Sequence, residues 1–312
     1  MDNLCHSLVG AAIGKAGLAR RTTLGMSTLV IANNLPDIDV AVFATNTLAM
    51  SFRRGWTHGV LAQAALPIAL TGAMLAYDRL VVQRRASAPP RAVARELLLL
   101  SYSGVLLHVF MDLMNSYGVR LLMPLSGRWF YGDALFIADP WLYLALGAGW
   151  WVSSGRERKG LAHVSRPARI GVALSAIYVL AMLVSNALAR TVVGGGLDRA
   201  GRPADTRFMV TPVAVNPFSR EVVVDLGDRY EKGNLWFEPA PHFRPAGFGM
   251  AKGMDDPEAQ AALRTPLARA FLAWSRFPFV QVDRNTAPPT IWLNDYRYAN
   301  AGPYGWSAVK IQ

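Results

Sequence analysis

Cysteine is nearly absent from this chain: Cys5 stands alone in 312 residues. A single thiol excludes an intramolecular disulfide and a thiolate cluster as the basis of any metal site. Charge is scarce too. Only 17% of residues are Asp, Glu, Lys or Arg, against about 25% in a typical soluble domain. The deficit is concentrated before residue 195, which argues against an ordinary water-soluble fold there. No Gly-x-Ser-x-Gly elbow, P-loop or Rossmann fingerprint is present, so serine-esterase and nucleotide-binding chemistry have no sequence support. Met1-Asp2 lacks a basic n-region, and a cleavable signal peptide is not expected. The net charge of +11 comes without an aromatic-interleaved basic motif, which speaks against nucleic acid as a partner.

What the chain has instead is apolar runs approaching the ~20 residues needed to cross a bilayer. Val60–Tyr77, Leu97–Met111 and Ile170–Leu188 carry no charge. A further run extends from Leu135 to Val152, and Leu24–Ala44 is apolar around the break Asn33-Asn34-Leu35-Pro36-Asp37-Ile38-Asp39. These imply a mainly α protein: a multi-span helical membrane domain over residues 1–193, with four or five spans, then a small α+β extramembrane domain over residues 194–312.

The basic residues set an orientation. Arg79, Arg84, Arg85, Arg91 and Arg95 fill one loop, and Arg156, Arg158, Lys159, Arg166 and Arg169 fill another. The positive-inside bias places both in the cytoplasm. Working outward, Val60–Tyr77 runs inward, Leu97–Tyr117 outward, Leu135–Val152 inward and Ile170–Leu188 outward. The expected location is a bacterial inner membrane, multi-pass, with the tail in the periplasm. Gly194-Gly195-Gly196 reads as a flexible joint. Beyond it, Arg207–Val215 and Arg220–Leu226 read as strands joined by the turn Asn216-Pro217-Phe218-Ser219. Ala259–Ser275 reads as an amphipathic helix, with strands near Phe279–Asp283 and Thr290–Leu293. His242 reads as a surface-loop histidine.

Ionisable residues in apolar surroundings are expensive and need a reason. His108 and Asp112 are four apart, on one helix face and about 6 Å apart along its axis, which suits ligands of one metal ion or of two neighbours. Pro36 breaks helical hydrogen bonding beside Asp37 and Asp39, whose alternative reading is a helix-capping turn. Thr57 or the turn before it would cap the next helix, leaving His58 in its first turn. His6 lies near the start of the chain. His163 falls in a basic loop and reads as solvated. In the expected topology His6, Asp37, Asp39, His58, Asp112 and Asp133 converge on the outer half. Imidazoles with carboxylates suit zinc or a similar divalent ion. His6, Asp37, His58, His108 and Asp112 are the expected ligands, with Asp39 and Asp133 free for acid–base work. Asp133 and Asp139 each read equally as a helix cap, a ligand or a carboxylate orienting a histidine. Arg53, Arg54 and Arg120 are candidate contacts for an anionic substrate group.

Taken in order, Met1-Asp-x-x-x-His6, Asn34-x-Pro-Asp37-x-Asp39, Arg54-Gly-x-Thr-His58, His108-x-x-x-Asp112 with Tyr117-Gly118, and Asp133 to Asp139-Pro140 form a pattern. It resembles the YdjM-like family of inner-membrane metal-dependent hydrolases, by motif over roughly residues 1–150. That resemblance implies a multi-span helical protein with hydrolase activity. More distantly, His6, Asp37, His58, His108 and Asp112 follow the ligand order of zinc-dependent phospholipase C. The later His-x-x-x-Glu of that group is missing here, which points to one or two ions rather than three.

The leading expectation is a membrane-embedded hydrolase acting through metal-activated water on a phosphoester or other ester of an amphiphilic or lipid-linked substrate. A metal-ion transporter or channel is the alternative, since intramembrane His and Asp also mark ion pathways. A non-catalytic anchor for the tail is a third reading. Depth separates the first two: transport needs polar residues reaching both sides, whereas this chain gathers them at one end of its spans.

Overall fold

The computed structural model describes residues 1–45, 48–301 and 307–311. Its contacts divide the chain into two units, one of residues 1–41 and 53–184, the other of residues 42–52 and 185–312. The first is helical. The second holds two antiparallel sheets.

In the helical unit α1 (Asn3–Lys15) starts at Asp2, whose carboxylate accepts from the Cys5 N–H at 2.8 Å. This is the ordinary N-cap arrangement, satisfying one free amide of the first turn. A 3₁₀ turn (Leu18–Arg21) leads to α2 (Gly25–Ala32). The expected span Leu24–Ala44 is not one helix: after Asn33 the chain changes to 3₁₀ geometry over Leu35–Ala44. Pro36 accounts for this, because it lacks the N–H that an α-helix would need there. Next come the short α3 (Ala49–Phe52, in the second unit), α4 (Val60–Tyr77) with a π turn (Asp78–Val82), and α5 (Ala94–Leu113). Then follow α6 (Pro140–Arg158) and α7 (Arg166–Arg199).

Three helices are long and apolar enough to cross a membrane: Val60–Val82, Ala94–Leu113 and Arg166–Arg199. Four or five spans are expected from the sequence; among the described residues three helices meet that length and composition. Helix α6 has 19 residues, yet its last turn carries Arg156, Glu157 and Arg158 and it is not among the three. Ile170, Leu174, Ile177, Leu180 and Val184 of α7 stay exposed, an apolar stripe at helical spacing that suits lipid rather than water.

Two clusters hold this unit together. Cys5, Val9 and Ala12 of α1 pack with Met111 of α5, Leu142 and Leu146 of α6, and Met182 of α7. Ala32 of α2 packs with Leu70 and Met74 of α4 and Leu97 and Val105 of α5. At Gly104 the approach of α5 to α2 is so close that a Cβ would lie 2.4 Å from the Ala32 Cβ.

The second unit is an α+β arrangement. Strands β1 (Phe208–Pro212), β2 (Ser219–Asp225), β3 (Arg229–Trp236) and β4 (His242–Ala251) form an antiparallel meander. Side chains alternate between its faces, as a pleated strand requires. Val210, Val222 and Val224 meet Ala189, Val193 and Leu197 of α7 on one face. Met209, Val223 and Tyr230 meet Phe277, Phe279 and Tyr296 on the other. Gly194-Gly195-Gly196 is therefore not a joint: it lies inside α7, whose residues on either side are anchored in the sheet core. The expected single helix Ala259–Ser275 is two, α8 (Pro257–Ala262) and α9 (Pro266–Trp274), because Thr265 caps a new start before Pro266. Strands β5 (Pro278–Asp283), β6 (Thr290–Asp295) and β7 (Ala308–Lys310) make the second sheet. His242 is not in a loop. It opens β4 and stacks on Trp236 at 5.4 Å.

Candidate metal centre

His58, His108 and Asp112 are fully buried, and Asp37 is 8% exposed. Each of these four offers one ligand atom, and the four atoms lie within 4.8 Å of one another. Local structure explains how residues up to 75 positions apart meet. His108 and Asp112 project from the last turns of α5. Asp37 comes from the 3₁₀ segment that follows α2. His58 sits in the turn before α4, which runs beside α5 and begins where α5 ends.

The proton positions follow from hydrogen bonding. His108 Nδ1 lies 2.6 Å from the Asn33 carbonyl oxygen, which can only accept. The ring therefore donates from Nδ1, and in its neutral form carries a lone pair on Nε2. His58 Nδ1 lies 2.9 Å from Thr57 Oγ1, and that hydroxyl donates to Asp39 Oδ2 at 3.2 Å. His58 Nε2 is likewise turned inward. The two Nε2 atoms are 3.2 Å apart, each about the same distance from Asp112 Oδ2 (3.1 Å from His58, 3.3 Å from His108). Asp37 Oδ1 faces both rings at 3.9 and 3.7 Å and has no hydrogen-bond partner. Four acceptor atoms thus point at one another in a buried space. This group could hold a metal ion, and each ring is oriented through its far nitrogen as metal-binding histidines are.

His6 adjoins the group. Its Nε2 is 3.3 Å from Asp112 Oδ1, and its ring stacks on His108 with centroids 3.8 Å apart. Burial lowers the His6 pKa to about 4 and also lowers that of His58, in each case against the pull of Asp112. Neither residue lies in one of the three apolar helices. Both imidazoles are accordingly neutral near pH 7, the form that binds metals. The Met1 α-amino group also reaches Asp112 Oδ1.

The other expected site residues take different places. Asp39 is fully engaged in orienting: it accepts from the Arg54 N–H at 2.7 Å and from Thr57, and it pairs with Arg53 at 3.5 Å. Arg54 is buried, pairs with Asp112 at 2.5 Å, donates to the Met1 carbonyl at 3.3 Å and lies 5.4 Å from the Tyr117 ring centroid. Arg120 stacks on Trp129 and donates to the Arg53 carbonyl at 2.9 Å, while its own N–H bonds the Arg54 carbonyl at 2.7 Å. It fastens the loop that carries Arg53, Arg54 and His58. Asp133 is buried beyond the end of α5 with φ 53° and is outside the four-residue group. Asp139 caps α6 through the Trp141 and Leu142 amides and accepts from the Tyr178 hydroxyl at 2.9 Å. Thr57 does not cap α4, whose N-cap is Gly59; it orients His58 instead. The Asn33 carbonyl, the Met1 amine and Tyr117 as a partner of Arg54 had no signal in residue spacing.

A helical unit with segments long and apolar enough to cross a membrane and a buried Asp/His group that could hold a metal ion defines the class, a membrane protein with a candidate internal metal centre. Comparison supplies the family: the chain belongs to the YdjM inner membrane protein family, whose model matches residues 1–191. A relative in Bacillus subtilis (strain 168), the uncharacterized protein YfhP, is 24% identical over 156 residues, which are 46% of this chain and 44% of that protein. The chain thus spans less than half the length of that relative. No solved structure matches it. None of these findings carries the likeness to zinc-dependent phospholipase C.

Proposed function

We propose that the protein is a membrane-embedded, metal-dependent hydrolase acting on an ester of an amphiphilic or lipid-linked substrate. One observation carries the reading. His108 is locked by the Asn33 carbonyl into the tautomer that turns a lone pair toward His58, Asp112 and the unpartnered Asp37. Arg54 meets Asp112 Oδ2, but neither imidazole supplies a proton to the space between the rings and Asp37, where a purely structural cluster would place one. Asp37, His58, His108 and Asp112 would hold the ion, with His6 beside them. The chemistry a divalent ion supplies when bound is Lewis-acid polarisation of an ester oxygen and acidification of water.

The chain's own residues supply the rest. Thr57 and Asp39 keep the His58 proton on Nδ1. Arg54 balances the Asp112 carboxylate in a setting where an unpaired charge would be costly. Arg53, with a side chain 25% exposed, lies at the rim and is the best placed of the three arginines to meet an anionic group, such as a phosphoester, on an incoming molecule. A shallow surface pocket is lined by Val30, Ile31, Asn34, Leu35, Asp37 and Ile38. It joins the least buried ligand to exposed Ile31 and Ile38, an apolar approach suited to a substrate arriving from lipid. The site lies at the α4–α5 end opposite the basic loop, so the positive-inside bias puts it in the outer half of the membrane, with several passes and a periplasmic tail.

The test is metal content and phosphodiesterase activity of the detergent-purified chain. Wild type should carry zinc or a similar ion in near-stoichiometric amount and hydrolyse a phospholipid-type ester, and Asp112→Ala should lose both. Wild type purified without metal, and unable to take it up, overturns the proposal. Metal retained with transport of the ion across vesicles and no hydrolysis would establish the transporter reading instead.

A further inference from the structure

The end of the helical unit remote from the metal centre carries a second polar feature. Helix α7 begins after Ser165, whose carbonyl accepts from the Arg169 N–H at 3.0 Å. Ser165 is thus the N-cap, and its hydroxyl would ordinarily take the Ala168 N–H. That amide is already bonded to Ser153 Oγ on α6 at 2.9 Å. The Arg166 N–H goes to the His163 carbonyl, and Pro167 has none. Ser165 Oγ is left buried, on a residue 7% exposed, with no hydrogen-bond partner. It lines a pocket of about 330 Å³ formed with Arg20, His163, Val164, Arg166 and Arg169. Arg169 is braced by Nε donating to the Ala16 carbonyl at 2.8 Å, and Arg156 braces the loop through the Ala162 carbonyl at 2.6 Å. An unpartnered buried hydroxyl that shares a pocket with three arginines is a donor set suited to an anion.

Arg20 also lines an adjoining groove of about 530 Å³ with Ala11, Met26, Val30 and Trp150. The acidic group there, Glu157, is neutralised by Lys15. A cationic, hydroxyl-floored pocket therefore opens beside an apolar trough. Free phosphate would use only the first; a lipid would use both. We propose that this pair of pockets binds an anionic phospholipid, its phosphate on Ser165, Arg20, Arg166 and Arg169 and an acyl chain in the trough. The site lies among the basic residues assigned to the inner leaflet, about 13 Å along α1 from the level of His6 to that of Lys15. The trough shares Val30 with the pocket beside Asp37, whereas the phosphate pocket shares no residue with it, so anion binding there does not depend on the hydrolase reading.

Titration of the detergent-purified full chain with short-chain phosphatidylglycerol, short-chain phosphatidylcholine and sodium phosphate, read by native mass spectrometry, tests this. Phosphatidylglycerol should bind at least about fivefold more tightly than phosphatidylcholine, and Arg20→Gln and Arg166→Gln should each weaken it about fivefold. Ser165→Ala should weaken it about threefold. Arg85→Gln, in the other basic loop, should leave it unchanged, and an unaltered melting temperature and helicity in every variant show that the fold survives. Equal affinity for the two lipids, or unaltered binding in the Arg20 and Arg166 variants, overturns the proposal. So does binding of inorganic phosphate that phosphatidylglycerol cannot displace.

Discussion

Thr57 makes the case that residues touching no metal can govern its affinity. Its hydroxyl links His58 Nδ1 to Asp39 Oδ2, fixing the ring from behind. Thr57→Val keeps the shape and removes the link, and such outer contacts typically contribute about 10–100-fold in metal affinity. Competition with a fluorescent chelator should show a loss of that size in Thr57→Val, with little change in helicity. Asp37→Asn, which alters a candidate ligand, should reduce bound metal further. In the tail, Asp295 provides a residue-scale test of electrostatics. Burial works to raise its pKa, but the Arg297 guanidinium, with both Nε and Nη2 at 2.9 Å, outweighs it and holds the carboxyl below its ordinary value. A depressed folded pKa means that this stability is complete above the unfolded value of about 4 and drains away as pH falls through the folded one. Thermal unfolding of the full chain followed at the β-sheet signal should be flat from neutral pH to about 5 and fall steeply below about 4. Arg297→Gln should cost about 3–5 kcal/mol at pH 7, because it strands a buried carboxylate.

At the scale of elements, the α2–α5 crossing sets the centre's geometry. Any Cβ at Gly104 collides with Ala32 and comes within 3.1 Å of Asn33 Nδ2. Gly104→Val should push the helices apart, destabilise the fold by about 1–3 kcal/mol, and move the Asn33 carbonyl away from His108. Metal content and melting temperature should fall together. Gly72 on α4 has open space around its would-be Cβ, so Gly72→Ala should leave both unchanged. The crossing also marks what the sequence could reveal. His108-x-x-x-Asp112 announces itself through helical spacing, and Pro36 announces the break that turns Asp37 inward. Asn33 cannot, because its contribution is a main-chain oxygen. Asp39 and Asp37 look equivalent as letters; only the placement of the Arg54 amide and Thr57 makes one an orienting group and leaves the other a candidate ligand. The triple glycine in α7 misleads for a related reason: its intrinsic cost of roughly 1 kcal/mol per residue in a helix is offset by Ala189, Val193 and Leu197 burying into the sheet.

For the whole molecule, the two basic loops at one end of the helices and the His/Asp group at the other make a topological prediction. Reporter fusions after residues 90 and 160 should be active only in the cytoplasm, and a fusion after residue 200 only outside. A cytoplasmic signal from the last would place the metal centre in the inner leaflet and move any hydrolysis to that side. The mainly α fold with its α+β tail was readable from apolar runs and turn residues. The strands β3 and β4 were not, since Gly233, Pro245 and Gly249 interrupt the alternation that marks a strand, and pairing of β3 with β2 and of β4 with β3 is what holds them extended.

The bond from His108 to the oxygen of residue 33 has an awkward corollary for mutagenesis. Truncating the Asn33 side chain leaves that acceptor in place while giving up the buried Nδ2–H bond to the Leu29 carbonyl at 2.9 Å, so an alanine survey would read a loss of stability and miss the contact to the ring. Only a change in the path of the polypeptide can dislodge it, and metal content kept at position 33 but lost at Gly104, with stability reduced in both, would be its signature.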